Sequence, residues 1–176
     1  LPVLWLFSDE QRGGDLVDAV GRLPKGGLCG VVFRHDGAAG RAALLARVAA
    51  VCRARRVALV VAGGSRRFGV HVRGGRKVDG LRAAKSRANP SCVTSSAHNV
   101  VEVRRAAKAG VDIVFISPVF ATASHPGAKA LGVMGWNRLA RHRGRALAYV
   151  LGGISGETVK RLADSCCGAG GISGFL

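Results

Sequence analysis

The 176-residue chain predicts an α/β fold, a small (β/α)8 barrel of parallel strands in a single domain over residues 1–176. Three observations carry this. Eight short apolar runs with β-branched or aromatic content recur along the chain, segments of helical period separate most of them, and no linker-like stretch divides the series. Strands alternating with helices pair in parallel, because each helix returns the chain to the same end of the sheet, and runs that are apolar throughout suit strands covered on both faces. A count of eight favours closure over an open, doubly wound sheet.

In order, the first strand is expected at Val3 to Phe7, followed by a helix from Asp15 to Leu23 with Leu16, Val17 and Val20 on one side. A second strand at Leu28 to Phe33 leads to a helix from Arg41 to Arg55 with Leu44, Leu45, Val48, Val51 and Cys52 as its stripe. The third strand, Val57 to Ala62, is separated from the fourth, Gly69 to Val72, by only Gly63 to Phe68. Six residues are too few for a regular helix, so the third crossover is abbreviated. A helix from Asp79 to Ala88 and a fifth strand at Ser91 to Ser95 come next. Asn99 with Glu102 three residues on forms a capping-box-like start to a helix that Gly110 stops. The sixth strand, Val111 to Ser117, precedes a helix at Met134 to His142, and the seventh, Ala146 to Leu151, precedes one at Glu157 to Cys166. The eighth strand is expected at Gly170 to Phe175, with no final helix. A closed sheet short of covering helices exposes apolar strand face, so a loop, a ligand or a second copy in a homodimer is expected to cover it.

Composition narrows the partners. The chain is 48% hydrophobic, too much for a disordered basic tail. No run approaches the ~18 to 20 apolar residues of a membrane-spanning helix, so no membrane association is expected. Lys and Arg number 27 against 10 acids, giving a net charge of +17, and this calls for an anionic partner. Nucleic acid is disfavoured in that role: no recognised binding motif is present, and 5% aromatic residues leave few stacking platforms. The five cysteines are odd in number and lack C-x-x-C spacing, which argues against a disulfide framework or a zinc site and for a reducing, cytoplasmic setting. Leu1 to Ser8 is apolar but has neither a basic flank nor a small-residue cleavage site, so no export signal is expected.

In parallel barrels the chemistry sits at the C-terminal ends of the strands. The residues there are Ser8 and Asp9; Arg34, His35 and Asp36; Gly63 to Arg67; His71 and Arg73; Ser95, Ser96 and His98; Ser117 to His125; and Gly152 to Ser155. Four of the five histidines fall in this set, while His142 lies on an expected outer helix as a surface residue. A histidine at such a position serves as a general acid or base, or holds a loop backbone.

The most informative stretches are Thr94 to Asn99, TSSAHN; Ser117 to His125, SPVFATASH; and the glycine turn Gly152-Gly153-Ile154. In these the chain resembles the thiamine phosphate synthase family, including its thiazole tautomerase branch. The family's G-x-S-x-H-S turn corresponds to the first stretch, its G-P-V-F-x-T-x-T-K to the second and its G-G-I to the third. The likeness covers most of the chain in strand order and is specific from Ser96 onward. It implies a TIM barrel that joins hydroxymethylpyrimidine diphosphate to a thiazole phosphate with release of magnesium-bound pyrophosphate. By matching position it also implies that Ser96, Thr122 and Ser124 donate to the diphosphate, that His71 lies beside the pyrimidine, and that Gly152 and Gly153 present backbone N–H groups to the thiazole phosphate. The catalytic candidates are Ser96, His98 and His125, with Arg34 and Arg73 as further phosphate-binding candidates.

The departures from the pattern concentrate in the first half. The family's Q-x-R-x-K stands here as Val32 to Asp36, with an acid in place of the lysine. Its N-D-R becomes Ala62-Gly63-Gly64 or Gly63-Gly64-Ser65, and its H-x-G-Q-D-D becomes His71 to Arg76. His125 takes the place of a lysine, and Pro118 stands where the tautomerase branch has histidine. The matching carboxylates are absent, which speaks against magnesium held in the family manner. The same loops carry Arg66, Arg67, Arg73, Arg76 and Lys77, and these either replace the metal by pairing with phosphate oxygens or form a solvated face. Two alternatives to the transferase stay open: a degenerate barrel that binds a phosphometabolite without turning it over, and a tautomerase-like protein.

Overall fold

The computed structural model describes residues 1–11, 14–63, 67–74, 92–122, 127–162 and 166–172. Eight strands run through it: β1 Leu4–Phe7, β2 Cys29–Phe33, β3 Ala58–Ala62, β4 Gly69–Val72, β5 Val93–Ala97, β6 Ile113–Ile116, β7 Leu147–Leu151 and β8 Gly168–Gly171. All pair in parallel with their sequence neighbours, and β8 closes on β1 with Leu4 opposite Ala169. The closed (β/α)8 barrel expected from the alternation is therefore present, and six residues do separate β3 from β4.

The described helices are α1 Leu16–Arg22, α2 Arg41–Arg55, α3 Val100–Ala109, α4 Gly132–Ala140 and α5 Gly156–Val159. Residues 79–88, where a further helix is expected, lie outside the described residues. Asn99 caps α3 by accepting from the Glu102 N–H at 3.0 Å, and Gly110 ends it at a φ of 74°. The Glu102 carboxylate reaches back to the His98 N–H at 2.8 Å, one residue earlier than in the usual capping box. Local capping thus fixes the backbone of a residue at the barrel mouth.

Three expected boundaries move. β5 runs from Val93 to Ala97, two residues later than its apolar run suggests. Ser96 and Ala97, past the expected end of the strand, pair with Phe115 and Ile116 on β6. β8 is Gly168–Gly171 rather than Gly170 to Phe175, and α5 stops at Val159, well short of Cys166.

Packing explains the glycine-built β8. The barrel interior is filled by Trp5, Phe7, Val32, Val60, Ile113, Phe115 and Tyr149. Phe115 meets Phe7, Trp5 and Tyr149 edge-on, with ring centroids 4.8, 5.8 and 5.6 Å apart. Room for these rings comes from glycine on adjacent strands: a Cβ on Gly30 would sit 2.5 to 2.7 Å from Trp5 ring atoms, one on Gly168 would meet the Tyr149 ring, and one on Gly170 would lie 2.7 Å from Phe7. Alternating large and empty positions in this way fills a narrow barrel at interior density. Outside the sheet, Val31, Phe33, Val48 and Cys52 pack with α1 and α2, and Val103, Ala106, Trp136 and Leu139 cover β5 to β7.

Candidate functional site at the barrel mouth

At the C-terminal ends of the strands, a cavity of about 520 Å³ opens between the loops that follow β1, β2, β4, β5 and β6. Five of the residues singled out in the sequence line it together: Arg34, His71, Arg73, Ser96 and His98. Ser8, Asp9, Glu10, Gln11, Gly74, Ser117 and Leu151 complete the wall. Glu10 and Gln11 carry no motif in sequence, and their position three and four residues past the end of β1 is the only signal that could have found them. Thr122, Gly152 and Gly153 are described but are not among the wall residues, and Ser124 and His125 lie outside the described residues.

His71 forms the floor. It points inward from β4, is 2% exposed, and stands edge-on to Phe7 at 5.6 Å. Its Nδ1 is 2.8 Å from the Thr94 hydroxyl and its Nε2 is 3.0 Å from the Ser96 hydroxyl. Burial, then the nearby charges of Arg34 and Arg73, push its pKa down to about 3, so the ring is neutral. A neutral imidazole has one donor and one acceptor nitrogen. Thr94 is fully buried on the adjacent strand, and of the two hydroxyls one donates to the ring and the other accepts from it.

His98 is placed differently. Its Nδ1 lies 2.9 Å from the Ser117 carbonyl oxygen, which accepts only, so Nδ1 carries the proton and Nε2 is the basic nitrogen of the neutral ring. Together with the Glu102 contact to its backbone, this holds His98 at two points.

Arg34 is fixed by its own strand and the one before. Ser8 receives the Arg34 backbone N–H at 2.7 Å and lies 2.9 Å from His35 Nδ1, while Arg34 Nε donates to the Ser8 carbonyl at 2.9 Å. The guanidinium rests over the Phe7 ring at 5.3 Å and meets Asp9 at 3.5 Å. Burial above all, with Arg73 adding to it and Asp9 and Asp36 opposing, lowers its pKa. Beside it, Arg73 pairs with Asp36 at 2.6 Å, and the other oxygen of Asp36 is 3.6 Å from Arg41. His35 is 8% exposed, stacked on Phe33 and bonded to Ser8, which makes it part of the scaffold.

A magnesium ion needs several free oxygen ligands in near-octahedral order. Asp36 meets Arg73 and Arg41, Asp9 meets Arg34 at 3.5 Å, and Glu10 accepts from the Gly37 N–H at 3.3 Å; no group of three or more His, Cys, Asp or Glu side chains arranged for a metal occurs among the described residues.

The Gly152-Gly153 turn packs against the segment after β6. Both residues have positive φ, 91° and 66°; a Cβ on Gly152 would lie 3.1 Å from Pro118, and one on Gly153 would collide with the Ala121 carbonyl and Phe120. Phe120 N–H donates to the Gly152 carbonyl at 3.2 Å, and the Thr158 hydroxyl to that of Gly153 at 3.1 Å. Here the glycines join two loops.

Known proteins share this architecture and sequence. The chain is 26% identical to a thiamine-phosphate synthase of Geobacillus thermodenitrificans over 98% of its own length and 82% of that protein's. It is 32% identical to the thiamine-phosphate synthase of Anoxybacillus flavithermus over 106 residues, 60% of this chain and 47% of that one. A thiamine phosphate pyrophosphorylase structure from Pyrococcus furiosus superposes with a TM-score of 0.74 at 18% identity, covering 96% of this chain and 84% of the other, and so shares the fold. No described helix is long and apolar enough to cross a membrane. The family model described as thiamine monophosphate synthase matches residues 4–175, and the chain belongs to that family.

Proposed function

We propose that the protein is a transferase of thiamine biosynthesis that joins hydroxymethylpyrimidine diphosphate to a thiazole phosphate and releases pyrophosphate. One observation carries this beyond family membership: side chains from β2, β4 and β5 and their loops, Arg34, His71, Arg73, Ser96 and His98, converge on one cavity and, beside the carboxylates of Asp9 and Glu10, bring to it two guanidinium groups, two imidazoles and a hydroxyl. Such groups suit a reaction in which negative charge gathers on a leaving group.

In this reading the bond between the pyrimidine methylene carbon and the bridging oxygen breaks, and its electron pair departs with pyrophosphate. The thiazole nitrogen then supplies the pair for the new C–N bond. Ser96, its oxygen accepting from His71 Nε2–H, keeps its proton and donates a hydrogen bond to a departing phosphate oxygen. Arg34 neutralises developing charge, and His71, with both ring nitrogens engaged by Thr94 and Ser96, offers no free lone pair at the floor to trap the cation. His98 receives the released phosphate oxygens as a donor when protonated. Thr122, Ser124 and His125 enter this scheme on their motif, as do Gly152 and Gly153 for the thiazole phosphate. A cytoplasmic setting and a homodimer belong to the same proposal, the second tested by sedimentation.

The test is incubation of the purified protein with both substrates, once with magnesium and once with EDTA, followed by chromatography for thiamine phosphate and assay of pyrophosphate. Equimolar appearance of both products in either condition is the expected result. Consumption of neither substrate, with the chain folded by circular dichroism, overturns the proposal.

A further inference from the structure

We propose that the cavity binds a diphosphate without a metal ion, through the Arg34 and Arg73 guanidinium groups, and that Asp36 occupies Arg73 until the anion arrives. The idea deepens the transferase reading and rests on it only for the identity of the diphosphate.

The two guanidiniums come from different strand ends and share one wall, with Arg73 Nη2 donating to the Arg34 carbonyl at 3.4 Å. Neither spends its donors fully in the bonds described. Arg34 uses Nε on the Ser8 carbonyl, and its contact to Asp9 at 3.5 Å is long for a charge-assisted bond, which runs to about 2.7–2.9 Å. Arg73 uses one terminal nitrogen for both of its partners. A guanidinium has five N–H donors in a planar fork, so phosphate oxygens can be met two at a time.

Asp36 makes the exchange cheap. If Arg73 simply left, a carboxylate at the cavity edge would lose its counter-charge. Its second oxygen is already 3.6 Å from Arg41, however, and Arg41 is anchored elsewhere: it donates to the Ala62 carbonyl at 3.0 Å and lies over the Phe33 ring at 5.4 Å. Arg41 therefore stays when Arg73 turns, and Asp36 keeps a cation. The acid at position 36 faces the arginine at position 73, with the ion pair closed at 2.6 Å. Carboxylates held in this way are unavailable to a divalent cation, and the positive charge that would otherwise come with the ion comes from the side chains.

Titration of inorganic pyrophosphate into the protein by calorimetry tests this, in EDTA and in magnesium, for the parent chain, Arg73→Gln and Asp36→Asn. The expected affinity in EDTA is within about threefold of that in magnesium, Arg73→Gln weakens binding about tenfold or more, and Asp36→Asn tightens it several-fold. Both side chains are over 40% exposed, so neither change threatens the fold. Tenfold tightening on adding magnesium, an Arg73→Gln affinity equal to the parent's, or weaker binding by Asp36→Asn would each overturn the proposal. Binding of this kind without product in the two-substrate assay sinks the transferase and leaves the anion site; product with magnesium-dependent binding does the reverse.

Discussion

The neutral state of His71 makes the protein's stability fall with acidity in a calculable way. In the folded chain the ring titrates near 3, and in the unfolded chain near the ordinary ~6.5. Between those values the unfolded state holds a proton that the folded state does not, so lowering the pH draws the equilibrium toward unfolding. The stabilisation is whole above about pH 6.5 and is lost progressively down to about pH 3. Integrating the unfolded-state titration from about pH 8 to about pH 5 gives a loss of about 2 kcal/mol from this residue alone. Urea denaturation of the parent chain and of His71→Gln at both pH values isolates the contribution, because Gln keeps polar atoms near the ring positions and does not titrate. The parent should lose about 2 kcal/mol more than the variant over that interval. Equal losses, or an NMR titration of the His71 ring with a midpoint near 6.5, would refute the argument that burial holds this imidazole neutral.

Three further outcomes follow from packing. Thr94→Val keeps the side-chain volume but strips His71 Nδ1 of its partner, and should cost about 1–3 kcal/mol in urea denaturation, the penalty for a buried polar atom left bare. Gly153→Ala forces a Cβ onto the Ala121 carbonyl at a φ of 66° and should cost at least about 2 kcal/mol, seen as a lower melting temperature. Gly156→Ala, where nothing lies within 4 Å of the added carbon, should leave stability unchanged or raise it by about 0.5–1 kcal/mol.

How far the fold could be read depended on whether a strand's neighbours were visible in its own residues. β1, β2, β3, β6 and β7 are apolar on both faces and appear in the sequence within two residues of their ends. β5 lies two residues later than expected at both ends and β8 ends four residues sooner, for opposite reasons. The inward side of β5 is Thr94 and Ser96, hydroxyls that are acceptable inside a barrel because His71 satisfies them. The residues of β8 are mostly glycine, which disfavours a strand locally. Its reason for being there belongs to Phe7 and Tyr149, rings on other strands that need the space. Neither cause is written near the residues it governs.

The site shows a similar division, and the net charge of +17 illustrates it best. Thirteen basic residues fall between Arg41 and His98, and in sequence they form one block facing an unspecified anion. The fold divides the block. Arg47, Arg53 and Arg56 are exposed on α2 or just past it, on the outside of the barrel, while Arg41 and Arg73 turn toward Asp36 at the mouth. Two cations on one carboxylate leave a single surplus charge there, Arg34 with Asp9 leaves none, and Glu10 in the same wall offsets the surplus. What equips the described cavity for an anion is therefore not the total, which solvent screens on the outer faces within about 8–10 Å. It is that Asp36 has two partners and can release one of them, a property of three side chains from three separate segments that no count along the chain contains.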